Sequence, residues 1–304
     1  ARGRRVGRRL ARPRCLSRHR SPGYAARVPV DLHAHSRVSD GSDSPERLVE
    51  LADEIGLTAL ALTDHDTLEG IPRARGCAAH HDVELVPGTE ISCGSGLHMV
   101  VLFLEPGPGP LQDRLEWVRV GREERNAAIV DRLAAFGIHI SPEELATEAG
   151  EGVVGRPHIA ARLVAGGHAE SITDAFDRYL GHGGIAYLPR RTIPAREAAT
   201  LARESGAVPI VAHPHTLDEH LGPRLERILA DLTDAGLVGI EVHYPGYDAK
   251  RRRHLQRLAD RYGLLPSGGS DHHGTYKPHL QLGVGDGTVE VPDEVLEALR
   301  EHAR

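Results

Sequence analysis

Histidines and carboxylates follow several short apolar runs in this sequence. His33 and His35 come directly after the run at 28–32, and Asp40 follows them in a turn-forming Ser-Asp-Gly. Two residues that are two positions apart on an extended chain point to the same side, so the two imidazoles are expected to converge. The complete set of such positions comprises His33, His35, Asp40, His65, Glu90, His98, His213, Asp271 and His273.

These nine residues offer imidazole nitrogen and carboxylate oxygen but no thiolate. Such a ligand set is expected for Zn²⁺, Mn²⁺ or Fe²⁺ at hydrolytic centres, and nine ligands are too many for one ion. A lone histidine near a strand end is more often a hydrogen-bonded packing residue than a metal ligand. This alternative is strongest for His98, because it lies within an apolar run. Nine such placements together nevertheless predict a centre of several metals. Such a centre suits a phosphate ester, because it neutralises charge on the phosphoryl oxygens.

The nine candidate ligands lie in a region where short apolar runs alternate with helix-like stretches. Strands are predicted at 28–32, 59–63, 83–87, 97–104, 208–212, 238–242 and 264–267. Their alternation with helices predicts βαβ units and a largely parallel sheet. The carboxyl ends of parallel barrel strands meet on one face, where active sites lie. The first predicted helix has Ser44 as its cap and Gly56 at its end.

The alternation stops at 105–191. This section opens with Pro-Gly turns at 105–110 and continues as successive helical patterns, so we predict a helical insertion. Within it, Ser141 and Glu144 have the spacing of a capping box. Its predicted core residues are Leu111, Leu115, Val118, Ile129, Val130, Leu133 and Phe136.

The 304-residue chain has a formal net charge of −6, but its arginines are unevenly placed. Residues 1–27 hold ten of them and no acidic residue. Such a run is either an RNA-binding arm or a disordered extension, and the lack of an amphipathic period favours the extension. Three cysteines without paired spacing predict a reducing, cytoplasmic environment. No stretch approaches the ~18 apolar residues of a membrane span, and no obligate protein partner is inferred.

Seven short motifs, taken in order, resemble the PHP (polymerase and histidinol phosphatase) superfamily. They read Asp-Leu-His-Ala-His-Ser at 31–36, Ser-Asp-Gly at 39–41, Leu-Thr-Asp-His-Asp at 62–66, Pro-Gly-Thr-Glu at 87–90, Leu-His at 97–98, Ala-His-Pro at 212–214 and Ser-Asp-His-His at 270–273. The likeness extends over residues 28–283, and the motifs are specific in combination although each alone is weak.

The resemblance implies an α/β fold, a distorted (β/α)7 TIM-like barrel with a helical insertion subdomain. We therefore expect a basic, disordered extension at 1–27, the barrel at 28–104 and 192–291, the insertion over the active site at 105–191, and a C-terminal helix at 292–304.

The resemblance also implies three divalent metal ions, Mn, Zn or Fe, with ligands that carry over residue by residue. One ion would be bound by His33, His35, Glu90 and Asp271. A second would share Glu90 and add His98 and His213, and a third would use Asp40, His65 and His273. The catalytic residues expected on this basis are His33, His35, Glu90, Asp271 and Asp66.

Within the superfamily, Gly-Arg-Pro-His at 155–158 and the segment 175–181 resemble the branch of nucleoside 3′,5′-bisphosphate phosphatases and 5′-to-3′ exoribonucleases. This likeness implies that Arg156, with His158, Arg122 or Arg125, binds a non-reacting phosphate, since arginine holds phosphate oxygens bidentately. For Arg122 and Arg125 a solvated helix face is the alternative. Arg190 and Arg191, at the end of the insertion, are further candidates.

The general acid is left open. Asp64 and Asp66 flank His65 and can orient it or protonate a leaving alkoxide, while His215 and His243 are further candidates. Cys93 has no activating arrangement and is predicted to be a buried thiol.

The function expected is metal-dependent hydrolysis of a phosphate monoester, the 3′-phosphate of a nucleoside 3′,5′-bisphosphate, by metal-bound hydroxide. Alternatives are a 5′-to-3′ exoribonuclease acting on short 5′-phosphorylated RNA, a histidinol phosphate phosphatase and a noncatalytic metal-binding module. The acidic body of the chain disfavours long nucleic acid, whereas the arginine-rich extension would favour it.

Overall fold

The structure, a computed structural model, describes residues 30–149 and 154–304. The predicted extension at 1–27 lies outside them. The strands are β1 (Val30–Ala34), β2 (Ala59–Leu62), β3 (Glu84–Ser92), β4 (His98–Leu102), β5 (Val208–Val211), β6 (Gly239–His243) and β7 (Leu265–Gly268). The α-helices are α1 (Pro45–Ile55), α2 (Ile71–Ala78), α3 (Pro110–Ala135), α4 (Pro142–Ala149), α5 (Arg156–Ala165), α6 (Ile172–Ala175), α7 (Ala195–Glu204), α8 (Pro223–Asp234), α9 (Ala249–Tyr262) and α10 (Asp293–Arg300).

The ends of two helices follow from local sequence. Ser44 accepts the backbone N–H of Arg47 at the start of α1, and Gly56 ends that helix in the left-handed conformation. At the start of α4, the Ser141 N–H donates to the Glu144 carboxylate at 2.8 Å, and the Glu144 N–H donates to the Ser141 hydroxyl at 3.1 Å. The predicted caps are therefore confirmed, because they depend only on residues within one turn.

The strands form one sheet in the order β1 to β7. Four of the neighbouring pairs are parallel, as predicted, whereas β4 is antiparallel to both β3 and β5. Only the short segment 93–97 joins β3 to β4, and a connection that short cannot join parallel neighbours. The amino end of β4, which carries His98, therefore lies at the same edge as the carboxyl ends of the parallel strands.

The sheet curls until β1 approaches β7. An isolated bridge joins Ala34 to His272, and the Asp271 N–H donates to the His33 carbonyl at 2.9 Å. Gly269 permits this approach, because a Cβ there would lie 2.4 Å from the backbone nitrogen of His33. The predicted α/β class and strand number are confirmed. Within the described residues, however, β1 and β7 form no continuous ladder, so the sheet is a curled half-barrel and not a closed one.

Alternate strand residues pack in different apolar clusters, as the two-residue period of a strand requires. Ala61, Val100 and Ile210 belong to a cluster that also contains residues of α10. Val211 and Ile240 belong to a second cluster, which contains residues of α7, α8 and α9. The helices therefore cover the sheet and leave its carboxyl edge for polar residues.

Helices α3 to α6 and a π-helical turn, Phe176–Leu180, fall between β4 and α7. They have an apolar cluster of their own, which includes Leu133 and Leu163. Helix α3 is roughly 39 Å long at 1.5 Å per residue, so it spans both parts of the molecule. Three residues of its first half, Leu111, Leu115 and Val118, pack in the second cluster, together with Val211 and Ile240. Their assignment to the insertion core is wrong, as is that of Phe136, which is 60% exposed.

None of the helices in the part of the chain that the structure describes has both the length and the apolar composition that a membrane crossing requires.

Candidate metal centre

The nine predicted ligand residues lie together at the carboxyl edge of the sheet. Two of them are placed differently from the prediction. His33 lies within β1 and Glu90 within β3, because both strands continue further than predicted. An isolated bridge brings His65 beside Glu90, and His98 begins the antiparallel strand β4.

The Glu90 carboxylate is surrounded by five imidazoles. Its Oε2 lies 3.3 Å from His33 Nε2, 3.2 Å from His35 Nε2 and 3.3 Å from His65 Nδ1. Its Oε1 lies 2.9 Å from His98 Nδ1 and 2.8 Å from His213 Nε2. Burial raises the pKa of Glu90, but the surrounding imidazoles outweigh it and hold that pKa well below its usual value. Glu90 is therefore an ionised carboxylate at the centre of the cluster.

Two aspartates complete the cluster. Asp271 Oδ1 lies 3.5 Å from His35 Nε2 and 3.5 Å from His273 Nδ1. Asp40 Oδ1 lies 3.5 Å from both His35 Nδ1 and His273 Nε2, and its Oδ2 lies 3.6 Å from His65 Nε2. These separations are longer than hydrogen bonds, which is what atoms converging on a shared ion require.

The cluster fits a metal centre. Nδ1 of His35 and Nδ1 of His65 are buried and make no hydrogen bond within the described residues. Burial lowers the pKa of His35 to about 4, so this imidazole is neutral at physiological pH. Imidazole nitrogens without a hydrogen-bond partner, beside ionised carboxylates, are the donors that a divalent transition metal binds once the rings have given up their protons.

The ligand atoms converge in three overlapping groups. The groups are His35, Asp40, His65 and His273; His33, His35 and Asp271; and His65, Glu90 and His98. The first contains the set expected for the third ion, and the second contains three of the four residues expected for the first ion. The last group contains Glu90 and His98, as expected for the second ion, but its third member is His65 and not His213.

Three residues near the carboxyl edge of the sheet adopt a strained backbone. Asp66, His213 and Asp271 have positive φ angles of 54°, 28° and 52°. Left-handed backbone is disfavoured for residues with a Cβ and persists where surrounding contacts impose it. All three follow the carboxyl end of a strand, where this bend turns their side chains toward the site.

Buried carboxylates hold the loops of the site in place. Asp64 accepts from the Ser36 N–H at 2.8 Å, the Ser36 hydroxyl at 2.7 Å and the Ser39 hydroxyl at 2.7 Å. Burial raises the pKa of Asp64 to about 6. These contacts stabilise the loop that carries Asp40. This role of Asp64 differs from the expected one, which was to orient His65.

Two supporting carboxylates were missed by the sequence analysis. Asp31 accepts the N–H groups of His33 and Ser270, and Glu241 contacts His33 and His213. The signal that could have found Glu241 is an acidic residue at the centre of the apolar run 238–242.

A cavity of about 990 Å³ opens beside the cluster. From the cluster it is lined by Asp40, His65, His98 and His273. From the opposite side it is lined by all four predicted phosphate-binding residues, Arg122, Arg125, Arg156 and His158, and by Arg190 and Arg191. Tyr276 and Lys277 lie on the wall next to His273, and the Tyr276 ring is 71% exposed.

Arg125 is a half-buried cation in this wall and has no carboxylate partner among the described residues. Its Nε is buried and has no hydrogen-bond partner among the described residues. Burial, and then the neighbouring charges of Arg156, Arg122 and Arg190, lower its pKa to about 10. Like charges held together in a half-buried cavity attract a multiply charged anion.

The other predicted phosphate-binding residues are partly engaged. Arg122 Nη2 donates to Asp66 Oδ2 at 3.1 Å, while Asp66 Oδ1 accepts the Ser92 N–H at 3.0 Å. Arg156 Nη1 donates to the Leu180 carbonyl at 3.2 Å. His158 Nδ1 accepts the Gly155 N–H at 2.9 Å and so caps α5. Each of the three retains further donor capacity, although that of His158 is limited to Nε2.

The remaining candidates lie away from the cavity wall. His215 Nδ1 is paired with the Tyr247 hydroxyl at 2.7 Å, and burial lowers the pKa of His243. Cys93 is buried, as predicted, and its burial raises the pKa of the thiol. A thiolate nucleophile at Cys93 is therefore disfavoured.

Ionised carboxylates and converging imidazoles beside a cationic cavity make the centre of a metal-dependent phosphoesterase. The PHP domain family matches residues 31–132. A 5′-3′ exoribonuclease from Haemophilus influenzae is 34% identical over 80% of this chain and 89% of its own length. The chain therefore belongs to the PHP family.

Other relatives carry different names at similar identity. A phosphoribosyl 1,2-cyclic phosphate 1,2-diphosphodiesterase from Eggerthella lenta is 32% identical over 82% of this chain and 97% of its own length. A 3′,5′-nucleoside bisphosphate phosphatase from Chromobacterium violaceum is 32% identical over 80% of this chain and 87% of its own. A solved structure from Bifidobacterium adolescentis, described as a candidate metal-dependent phosphoesterase, has a TM-score of 0.72 and 29% identity, and the match covers 91% of this chain and 96% of that one. Family and reaction class are thus established together, and the substrate is a separate question.

Proposed function

We propose that this enzyme hydrolyses the 3′-phosphate of nucleoside 3′,5′-bisphosphates. The observation that carries this proposal is a single cavity that joins the metal cluster to the arginine cluster. A substrate with two phosphates can place the reacting one at the metal cluster while the other binds the arginines. The relatives' names refer to RNA, a nucleoside bisphosphate and a phosphoribosyl cyclic phosphate, and each of these contains a phosphorylated ribose.

The proposed centre holds three divalent ions, Mn, Zn or Fe, with the nine cluster residues as ligands. Such ions, when bound, activate water for attack and neutralise charge on the phosphoryl oxygens. Glu90 would be a central ligand of this centre, because imidazoles lie against both of its oxygens.

The side chains of the chain itself bind and orient the substrate. Arg125 and Arg156 are proposed to bind the non-reacting phosphate, and Tyr276 offers an exposed ring on which a base can stack. Asp66 holds Arg122 in the cavity wall. A role for Asp66 as general acid requires that this contact be released first.

The proposed architecture is a distorted (β/α)7 barrel at 28–104 and 192–291, with the segment 105–191 as an insertion over the site. The bridge between Ala34 and His272 supports the barrel, since it brings the two edge strands together. The separate apolar cluster of α3 to α6 supports the insertion.

A second candidate is 5′-to-3′ exonucleolytic cleavage of short RNA. The cavity volume of about 990 Å³ is at the upper end of the ~300–1,000 Å³ typical of ligand pockets. It therefore has room for more than one nucleotide, with a 5′-phosphate on the arginines.

The test is phosphate release with added Mn²⁺ from adenosine 3′,5′-bisphosphate, AMP, histidinol phosphate and a short 5′-phosphorylated RNA. The variants are His33→Ala, Arg156→Ala and, as a matched control, Arg178→Ala, an exposed arginine that pairs with Asp174. We expect selective turnover of the bisphosphate, abolished by the first change, weakened mainly in KM by the second and unaltered in the control. RNA shortening instead would favour the exoribonuclease, and metal-loaded protein inert on all four compounds would refute both.

A further inference from the structure

Glu241 is a buried carboxylate outside the proposed ligand set. It lies on β6 between Ile240 and Val242, which both pack in the cluster that contains the helices α7 to α9. Since successive strand residues point to opposite faces, Glu241 points away from those helices, toward the metal cluster. It is 1% exposed, and a buried carboxylate is costly unless its oxygens are hydrogen-bonded.

Each oxygen of Glu241 contacts a different histidine of the cluster. Oε1 lies 2.8 Å from His33 Nδ1, and Oε2 accepts the backbone N–H of His213 at 2.5 Å. A carboxylate oxygen can only accept, so the proton of the His33 ring lies on Nδ1. This leaves Nε2, which lies 3.3 Å from Glu90 Oε2, as the ring nitrogen that would bind a metal.

The second contact acts on the backbone of His213. This residue has φ 28° and ψ 62°, a conformation that a residue with a Cβ adopts only when its surroundings impose it. Glu241 accepts its N–H at this bend, and the side chain beyond the bend reaches Glu90 Oε1 with Nε2 at 2.8 Å. One carboxylate thus contacts two histidines, one on β1 and one just after β5, and both have Nε2 near Glu90.

We propose that Glu241 is a positioning residue, which sets the ring tautomer of His33 and the backbone bend of His213 so that both imidazoles bind metal through Nε2. This inference rests on the proposed metal centre but not on the proposed substrate.

The isosteric change Glu241→Gln tests it. A glutamine keeps the shape but places an NH₂ group against either the His213 N–H or His33 Nδ1. The backbone N–H cannot change, whereas the His33 ring can move its proton to Nε2, which removes that nitrogen as a ligand. We expect the full-length variant to remain folded and to bind Zn²⁺ about 10- to 100-fold more weakly than the wild type, measured by competition with a chromophoric chelator.

Two controls separate the possible failures. Glu197→Gln neutralises a carboxylate on α7 that pairs with Arg114 outside the metal cluster, so Zn²⁺ affinity should stay within about 3-fold of the wild type. His33→Ala must weaken Zn²⁺ binding; if it does not, the metal centre itself is wrongly assigned. If His33→Ala weakens binding and Glu241→Gln does not, or if Glu197→Gln weakens it equally, the role of Glu241 is refuted.

Nitrogen-15 NMR of the histidine rings in Zn²⁺-loaded wild-type protein gives a readout that needs no variant. The proposal requires the Nδ1–H tautomer at His33, and an Nε2–H ring there would overturn it even if Glu241→Gln failed to fold.

Discussion

Replacement of Arg125 by glutamine should stabilise the protein and weaken substrate binding at the same time. Arg125 has a pKa lowered to about 10 by burial and by the charges of Arg156, Arg122 and Arg190. Relative to the ordinary pKa of an arginine, this shift corresponds to roughly 3 kcal/mol at ~1.36 kcal/mol per pKa unit. Solvent screening of a partly exposed group reduces this to about 1–2 kcal/mol.

The sign follows from the direction of the shift. A cation whose pKa is lowered on folding is more easily charged in the unfolded chain, so its charge destabilises the folded state. This cost is fully present below about pH 10 and disappears as pH rises from there toward the ordinary pKa of an arginine. At pH 7.5, Arg125→Gln should therefore raise the free energy of unfolding by about 1 kcal/mol, measured by urea denaturation, after allowance for lost side-chain contacts.

The same change removes a charged donor to the non-reacting phosphate. A hydrogen bond to a charged group is worth about 1.5–3 kcal/mol, so KM for adenosine 3′,5′-bisphosphate should rise about 10- to 100-fold. The control Arg178→Gln changes an exposed arginine paired with Asp174 and should leave KM unchanged. A less stable Arg125→Gln protein with an unaltered KM would show that Arg125 is a structural cation and that the argument from its neighbours is wrong.

Two further predictions concern the metals and the base. Removal of divalent ions with a chelator should lower the free energy of unfolding. Mn²⁺ at 100 times its Kd should restore about 2.7 kcal/mol, measured by urea denaturation. If urea denaturation does not respond to Mn²⁺, the folded state does not hold a metal centre. Tyr276→Ala should raise KM for the bisphosphate about 5-fold or more through loss of stacking, and should leave hydrolysis of p-nitrophenyl phosphate unaffected. Tyr276→Phe is the conservative control. Equal effects on both substrates would rule out a base-binding role.

Much of the fold could be predicted because it depends on short-range patterns. All seven predicted strands are present, and the caps at Ser44 and Ser141 form as expected, since each depends on residues within a few positions. The antiparallel direction of β4 was not predicted. The five-residue link at 93–97 that demands an antiparallel pair is visible in the sequence, but the βαβ pattern elsewhere obscured it.

The same limit applies to the insertion. Leu111 and Leu133 carry the same helical signal in the sequence, yet Leu111 packs with the strands and Leu133 with the insertion. Only the position of α3 relative to the sheet separates them, and that position depends on contacts between distant segments.

The sequence by itself determined which residue types gather at the carboxyl edge, because strand ends converge whatever the details of packing. It also determined the family, through motifs whose order and spacing are specific. Tertiary structure decided how these residues act. It grouped His65 with Glu90 and His98, placed Glu241 against His33 and His213, and gathered arginines around Arg125. These outcomes depend on distances and burial between segments far apart in the chain, which no local pattern encodes.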